Sequence, residues 1–443
     1  MPRAETNARR AVPLPPLRRG AHAATLAPLH SLARQLAWLR VYALLTYPFA
    51  CVPFLFLWFV DHGMDERAYG EIIAAYYLAM FLAEVPTGVL ADRFGRKPML
   101  VLGPVLLAAG FSVMLVAPSY SSFLVGEVLL GLGHAVLSGP PQALLYESLR
   151  ANGAETRFLR EEARIGALRL VGTGGAFLLG GLLARSCAPD GRAWHAAIAA
   201  TCVLCATAAL VATRLHGGPP REPQHLGAFA RAVAAEVRRP AIAWLLAYWI
   251  VLFALLRFPF HDYQPWLRAA GTTVPLFADP LFVGCLFAAM NFAAAPLSAL
   301  VPALVRRCGR PTLFWAMPLV LGASLLVMAG ERALAAAGGS GALVWLGLAM
   351  FFVQQAPFGM HQALLAEFVN HRIAPATRTT VLSALSLGAR AVYAGLNVAL
   401  FWLQDARGMA LAFAVAGAGG IAAASVVLWL RPRGVLRGSG TID

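Results

Sequence analysis

Residues 86–97 read PTGVLADRFGRK, a charged stretch within an otherwise apolar part of the chain. Four charged side chains, Asp92, Arg93, Arg96 and Lys97, fall within six positions, although only 13% of the 443 residues are charged. Apolar runs lie on both sides of the stretch. It therefore forms a tight, charged connection between two apolar segments, and it is called the elbow below.

The composition of the whole chain is that of a membrane protein. Hydrophobic residues make up 59% of it and the mean hydropathy is +0.67, whereas a soluble globule carries about 25% charged residues. Apolar stretches of about 20 residues recur along the chain, each long enough to cross ~30 Å of hydrocarbon as a helix. We predict an all-α integral membrane protein with about twelve spans, which start near residues 41, 69, 98, 120, 161, 194, 241, 281, 312, 341, 379 and 408.

The distribution of basic residues predicts how these spans are oriented. With the N-terminus inside, 27 of the 36 Lys and Arg residues fall in cytoplasmic segments and 6 outside, which is the bias of the positive-inside rule. Both termini are therefore expected in the cytoplasm. The net charge of +15 then faces acidic lipid headgroups, so we expect membrane lipids and no nucleic acid as partners.

The two halves of the chain resemble each other. QALLYE at 142–147 returns as QALLAE at 362–367, and FGRKPML at 94–100 is echoed by CGRPTLF at 308–314. Matches in the same order within corresponding spans indicate two six-helix bundles. The predicted organisation is a cytoplasmic tail (1–40), an N-terminal bundle (41–214), a central cytoplasmic loop (215–240), a C-terminal bundle (241–430) and a C-terminal cytoplasmic tail (431–443).

The central loop carries a helical pattern. Leu226, Phe229, Val233 and Val237 are spaced for one helical face, and Pro240 ends the pattern. This spacing predicts an amphipathic helix on the inner membrane surface. A plain flexible linker is the alternative.

The elbow resembles a family signature. The run GVLADRFGRK at 88–97 is similar to GxLaDRxGRK, the motif between the second and third helices of the major facilitator superfamily. The spans and the two-half repeat extend the resemblance over about residues 41–430. It implies the fold of that superfamily, with twelve helices in two pseudo-symmetric bundles. It also implies a monomeric transporter of the bacterial-type inner membrane.

The elbow residues have physical roles in such a fold. Gly88 lacks a side chain, so a neighbouring helix can approach the second helix closely. The resemblance places Asp92 near the positive N-terminus of the eleventh helix, at Thr379. Arg96 can reach Glu147 on the fourth helix. We predict a conformational latch, with positive-inside anchoring as the alternative; its residues are Gly88, Asp92, Arg93, Gly95, Arg96, Lys97 and Glu147.

The second-half echo of the elbow departs from this pattern. Pro302 stands in place of the glycine and Arg306 in place of the aspartate. A latch of this kind is therefore expected only in the first half.

Ionisable residues inside the spans are functional candidates, because a charge at the bilayer centre costs about 2.5–3.5 kcal/mol on insertion scales. Arg390 is predicted to bind an anionic group or to pair with a carboxylate. Glu84, Glu127 and His134 are proton-coupling candidates, because a low dielectric favours the uncharged form of such groups. Structural ion pairs and hydrogen bonds are the alternatives.

Polar side chains in the later spans suggest a substrate cavity, although amides can equally join helices. The substrate-cavity candidates are Arg390, Asn291, Gln354, Gln355, His361, Gln362 and Asn397. A further cluster at the outer end of the seventh helix suggests an external gate or a hydrated loop, and consists of Arg257, His261, Asp262 and Gln264.

Motifs for chemistry are absent from the sequence. It contains no GxxxxGK[ST], no HExxH and no GxSxG, so we predict neither direct use of ATP nor an enzyme. Cys202 and Cys205 form a CxxC without a second pair, so no metal site and no cofactor are expected. The expected coupling ion is H⁺.

The function predicted is secondary active transport by alternating access, with a small-molecule substrate. We predict proton-coupled efflux of a small organic compound, either drug-like or a secreted metabolite. Gly172, Gly180 and Gly181 fit part of the glycine pattern of the superfamily's proton antiporters, but its proline is missing. Proton symport of a sugar or organic acid, and a transport-silent sensor on the same fold, are the alternatives.

Overall fold

The computed structural model describes residues 32–218, 226–372, 378–433 and 435–436. These ranges contain sixteen α-helices and short 3-10 turns, without a strand. The helices are α1 (Leu32–Leu44), α2 (Leu55–Asp61), α3 (Glu66–Phe94), α4 (Arg96–Val116), α5 (Tyr120–Leu137), α6 (Pro140–Ala151), α7 (Phe158–Cys187), α8 (Ala193–Thr213), α9 (Leu226–Val237), α10 (Pro240–Gly271), α11 (Pro280–Ala294), α12 (Leu297–Cys308), α13 (Arg310–Ala336), α14 (Leu343–Arg372), α15 (Arg378–Arg407) and α16 (Met409–Trp429).

The predicted all-α membrane fold is confirmed. Within the described ranges, 11 helical stretches are long and apolar enough to cross a membrane. The α5–α6 pair and the α11–α12 pair each form one of these stretches. Several begin close to the predicted positions, for example at Ala193 and Pro240 against predicted starts near 194 and 241.

The first predicted span is broken. α1 and α2 are separated by residues 45–54, which include Pro48, and together they take the place of one continuous helix. Residues 32–40, predicted as part of the cytoplasmic tail, form the first part of α1 and bury Leu36 and Leu39, because these apolar side chains pack into the protein core. Their position on the cytoplasmic side stays a prediction.

The elbow forms the predicted turn. α3 ends at Phe94, Gly95 has a φ of +88°, and α4 begins at Arg96. A φ in this region suits glycine because it has no Cβ. The second-half echo makes the same turn at Gly309, with a φ of +80° between α12 and α13. The repeat in the sequence therefore corresponds to a repeat in the backbone.

The two halves meet through pairs of long helices. α3 packs against α15, and α7 packs against α11. The central loop contains the helix α9, which packs against α15, α10 and α3; its position on the inner membrane surface stays a prediction. Below, the elbow face is the side of the membrane on which the elbow lies, and the far face is the opposite side, where α3 begins.

Two glycines of α7 accommodate the break in the first span. A Cβ on Gly172 would clash with the carbonyl oxygen of Leu44, and one on Gly180 would clash with that of Ala50. Small residues of this kind allow close backbone approach between membrane segments. Gly172 and Gly180 thus allow the backbone at Leu44 and Ala50 to pack closely against α7. The glycines that partly match the antiporter pattern therefore have a packing role in this fold.

Candidate functional site

A cavity of about 540 Å³ lies between the two halves. Its wall comes from the broken first span, α3, α4, α5 and α7 on one side and from α10, α11 and α14 on the other. Pockets for small ligands typically have volumes of roughly 300–1,000 Å³. The cavity is therefore large enough for a small organic molecule, and both halves would contact that molecule.

The wall of the cavity is strongly aromatic. Phenylalanine and tyrosine account for 11 of the 26 lining residues. Tyr47, in the non-helical segment, has a φ of +134° and stacks on His134 with 4.9 Å between ring centroids. Tyr76 meets the same histidine edge-on at 5.4 Å. Rings in several orientations offer both stacked and edge contacts to an aromatic ligand.

Two charged side chains face the cavity without a hydrogen bond or ion pair from the described part of the chain. Glu127 of α5 is 3% exposed, and Arg257 of α10 lies over the rings of Phe253 and Phe260. A desolvated charge without a partner is costly. Glu127 and Arg257 are therefore the groups in the wall that a polar ligand or water can best satisfy.

Three of the seven predicted cavity residues line the cavity, and these are Asn291, Gln355 and Gln362. The proton-coupling candidates Glu127 and His134 line it as well. The other four predicted residues, Arg390, Gln354, His361 and Asn397, do not line this cavity, and their role in substrate binding stays a prediction.

Those four side chains are held in internal contacts. Gln354 accepts a hydrogen bond from Tyr263 Oη at 2.9 Å, and Asn397 Nδ2 donates to the carbonyl oxygen of Gly70 at 2.9 Å. His361 Nδ1 lies 2.6 Å from a carbonyl oxygen of its own helix. Buried polar groups need such partners. These amides therefore join helices, which was the alternative interpretation for the amide-rich spans.

Arg390 forms an ion pair with Glu84. The pair connects α15 of the second half to α3 of the first, and each side chain is 15% exposed. Arg390 was predicted either to bind an anionic group or to pair with a carboxylate, and the structure has the pair. Glu84 lies outside the cavity lining, and its role in proton coupling stays a prediction.

Several polar contacts between the halves lie on the far side of the cavity. Gln264 of α10 accepts a hydrogen bond from Phe56 N and donates one to Val52 O, each at 2.8 Å. Tyr77 Oη and His261 Nε2 lie 3.0 Å apart. His261 and Gln264 are buried within α10, so the hydrated-loop alternative for this cluster was wrong. These residues close the interface between the cavity and the far face.

The elbow carries a network of three charges. Arg96 lies 3.0 Å from Asp92 and 3.7 Å from Glu147 of α6, so the predicted contact between Arg96 and Glu147 is present. All three side chains are largely buried. A shared arginine therefore ties the elbow to α6.

Two other expectations for the elbow have different outcomes. The predicted close approach at Gly88 was wrong for this conformation, because a Cβ there would meet nothing within 4 Å. The side chain of Thr379, predicted to lie near Asp92, falls outside the described residues. Arg93 is exposed, and Lys97 packs against Gly217 where the first half ends.

Sequence reasoning did not identify Tyr47 and Arg257 as cavity residues. Pro48, in the middle of an apolar span, is the signal that could have found the first. Proline interrupts a helix, and non-helical backbone at membrane depth is tolerated where it is buried in protein or lines a cavity. Arg257 was placed at the outer end of its span, but it lies near the middle of the 32-residue α10 and faces the cavity.

Two helical bundles that enclose a cavity within a membrane define the architecture of a secondary transporter. The sequence profile of the Major Facilitator Superfamily matches residues 41–396. The chain belongs to this family.

Relatives in sequence match only part of the chain. The inner membrane transport protein YajR of Escherichia coli K12 is 28% identical over 145 residues, which are 31% of this chain and 29% of that protein. The drug efflux pump JefA of Mycobacterium tuberculosis is 31% identical over 29% of this chain and 24% of its own. The multidrug resistance protein MdtH of Klebsiella pneumoniae is 32% identical over 23% and 26%. The matches thus span less than a third of each relative.

Solved structures resemble the fold over most of the chain. The nucleoside transporter NupG superposes with a TM-score of 0.73 at 12% identity, over 90% of this chain and 100% of that one. A peptide transporter POT in complex with sulfate superposes with a TM-score of 0.67 at 14% identity, over 92% and 96%. At these identities the likeness concerns the fold alone.

Proposed function

We propose that the protein exports a small, largely aromatic organic compound in exchange for protons. The aromatic wall of the central cavity carries this proposal. Stacking and edge contacts favour planar, apolar ring systems, and they tolerate varied substituents. The names of two partial relatives, a drug efflux pump and a multidrug resistance protein, support the same substrate class.

The polar groups of the wall argue against a sugar. A polyhydroxylated ligand needs many free hydrogen-bonding groups, but Asn291 donates to Leu170 O at 2.9 Å, and Gln264 already has two protein partners. Gln355 likewise donates to Phe351 O at 3.1 Å. Of the amides in the wall only Gln362 has no described hydrogen-bond partner, so Gln362, Glu127 and Arg257 remain for the polar part of a substrate; beside an aromatic wall, an amphipathic compound fits these few groups better.

Export also requires that the cavity receives substrate from the cytoplasm. The positive-inside rule assigns the elbow face to the cytoplasm. The hydrogen bonds of Gln264 and the contact between Tyr77 and His261 join the halves on the far side of the cavity, which supports loading from the elbow face. Both termini are then cytoplasmic.

Glu127 is the carboxyl that we assign to proton coupling at the cavity. It is buried, faces the cavity and has no ion pair with any described residue. His134 lies on the same helix, with Nδ1 2.8 Å from Leu130 O. A proton on Glu127 removes a buried charge, so substrate binding and proton binding are expected to be linked.

The Asp92–Arg96–Glu147 network is assigned the role of a latch. It connects the end of α3, the start of α4 and α6 on the elbow face. Alternating access requires these ends to move relative to the other half. The open space at Gly88 supports a state in which the elbow face is not closed by another helix.

Import of an organic acid by proton symport is the second candidate. Arg257 supports it, because an unpaired guanidinium in a cavity wall is suited to binding a carboxylate. A transport-silent sensor would have no flux in either direction.

Vesicles of both orientations separate these functions. Export predicts that everted membrane vesicles with an acidic interior accumulate fluorescent aromatic cations or zwitterions. A protonophore is expected to abolish this accumulation. Accumulation of aliphatic or aromatic acids in right-side-out vesicles alone would support symport and overturn export. Ligand-induced stabilisation without flux in either vesicle type would overturn transport and support a sensor. Vesicles without the protein are the control.

A further inference from the structure

Asp262 is a buried carboxyl that the cavity does not use. It lies on α10, is 0% exposed, and is not part of the cavity wall. Neither of its carboxylate oxygens completes a hydrogen bond, and no described lysine, arginine or histidine forms an ion pair with it. An ionised carboxylate is strongly destabilised in such surroundings. The group is therefore compatible with this conformation only when it carries a proton.

The surroundings of Asp262 form a polar line toward the far face. Gln404 of α15 lies beside Asp262 and is 2% exposed, and its amide nitrogen and oxygen have no partner of ordinary hydrogen-bond geometry. Glu66, at the start of α3, also lies beside Gln404 and is partly exposed. The amide of Gln404 is thus close both to a carboxyl at the far face and to a carboxyl in the interior.

Other titratable groups near Asp262 do not neutralise it. Tyr69 of α3 and Tyr393 of α15 are the hydroxyl-bearing neighbours, and the α16 segment contains no titratable residue. Arg268 and Asp405 are charged neighbours of Glu66 at the far face and are not neighbours of Asp262.

The position of Asp262 is in the interface between the halves. The residue before it, His261, meets Tyr77 of the first half at 3.0 Å. Gln264, two residues after it, holds the backbone of the first half at Val52 and Phe56. Both His261 and Gln264 line the cavity. Asp262 therefore lies behind the far-face closure, one residue away from a cavity residue.

We propose that Asp262 is a proton-binding site that exchanges its proton with the far face, along the side where Gln404 and Glu66 lie. Loading breaks an O–H bond of a hydronium ion or of protonated Glu66 and forms one on a carboxylate oxygen of Asp262; unloading transfers the same proton back to water or to the Glu66 carboxylate. Separation of the halves at the far face admits water and stabilises the carboxylate. When the halves close together at the far face, the carboxylate of Asp262 loses water and its protonated form is favoured. The proposal rests on the proposed proton-coupled transport for its role, but the proton site itself can be tested without substrate.

Infrared difference spectroscopy tests the site directly. The C=O stretching band of a protonated carboxyl in the purified protein, reconstituted without substrate, is compared between wild type, Asp262→Asn and Asp61→Asn. Asp61 is an exposed carboxylate at the same face and is the matched control. Loss of a band in Asp262→Asn but not in Asp61→Asn is expected. A band unchanged in Asp262→Asn would overturn the site. If that variant does not insert, Asp262→Glu is used, which must shift the band; an unshifted band overturns the site.

Transport assays then test the role of the site. Asp262→Asn mimics the protonated form, so it is expected to keep substrate exchange in counterflow and to lose accumulation driven by a pH gradient. Glu66→Gln is expected to slow the gradient-driven flux without changing counterflow. Gradient-driven accumulation by Asp262→Asn equal to that of wild type would overturn the role. If wild type transports no compound, the proposed transport fails, while the infrared result still decides the proton site.

Discussion

Glu84 of α3 and Arg390 of α15 form an ion pair that joins the two halves inside the membrane. Both side chains are mostly buried, and neither lines the cavity. Along α3, Glu84 lies between the far-face contact at Gly70 and the elbow. The pair therefore joins α3 to α15 at a level between the far-face contacts and the elbow.

Removal of one partner of this pair is expected to lower the stability of the protein more than removal of both partners. Arg390→Met leaves Glu84 buried and unpaired, which is expected to cost about 3–5 kcal/mol of stability. The double variant Glu84→Gln/Arg390→Met leaves no buried charge and is expected to recover much of this loss. Reversible unfolding in mixed detergent micelles measures both.

An exposed ion pair provides the control for this comparison of single and double variants. Arg150 and Glu155 lie 3.5 Å apart with side chains 67% and 50% exposed. Arg150→Gln is expected to change stability by less than about 1 kcal/mol. Equal losses in the single and double variants at Glu84 and Arg390 would show that the pair does not contribute as a unit.

The latch is tested by Asp92→Asn. This change removes the charge that Arg96 contacts at 3.0 Å, and we expect loss of flux with normal membrane insertion and normal ligand binding. Flux in proteoliposomes and ligand-induced stabilisation measure the two properties separately. Arg93→Gln, at an exposed position, is the matched control and is expected to keep flux. Flux of Asp92→Asn at the level of Arg93→Gln would contradict the latch.

The sequence was sufficient for the fold because the responsible signals are local. Apolar length defines a span, and the glycine at position 95 defines a turn, as its φ of +88° requires. The repeat located the equivalent turn at Gly309. The contact between Arg96 and Glu147 followed from their positions, since both residues lie on the elbow face at the ends of neighbouring spans.

The cavity was predicted less well because helix rotation decides which residues face it. Gln354 and Gln355 are adjacent, yet only Gln355 lines the cavity. Polarity alone could not distinguish them, since both find partners: Gln354 near Tyr263 and Ser324, and Gln355 near Tyr263 as well. The partner of Arg390 was open for the same reason, because a long-range pair depends on packing between the halves.

Close packing at the broken span predicts a difference between two glycines of one helix. Gly180→Ala places a Cβ against the carbonyl oxygen of Ala50, which is expected to destabilise the protein by about 1–3 kcal/mol through overpacking. Gly175→Ala has open space, and the higher helix propensity of alanine makes it neutral or slightly stabilising. Thermal unfolding of the purified variants compares them. Equal stability of the two would mean that α7 does not confine the segment before α2.

Native cysteines test the orientation of the chain. Cys308 is exposed at the elbow-face end of α12, and Cys187 lies at the far-face end of α7. If the elbow face is cytoplasmic, a membrane-impermeant maleimide labels Cys308 in everted vesicles and Cys187 in right-side-out vesicles. Single-cysteine variants assign each signal. The reverse pattern would refute the cytoplasmic assignment of the elbow and, with it, the direction of loading.

Arg257 gives the sharpest test of what the cavity binds. Its guanidinium lies over the rings of Phe253 and Phe260, 5.3 and 5.9 Å from their centroids, and no described carboxylate pairs with it. If a substrate carries an anionic group, Arg257→Gln is expected to weaken its binding by about tenfold to a hundredfold, as for loss of a charge-assisted hydrogen bond. Arg257→Lys keeps the charge but loses the planar fork, so partial recovery is expected. Titration of matched aromatic ligands with and without a carboxylate measures this, because only the anionic member should respond. An equal loss for both members would mean that Arg257 shapes the aromatic wall through Phe253 and Phe260 and does not bind an anion.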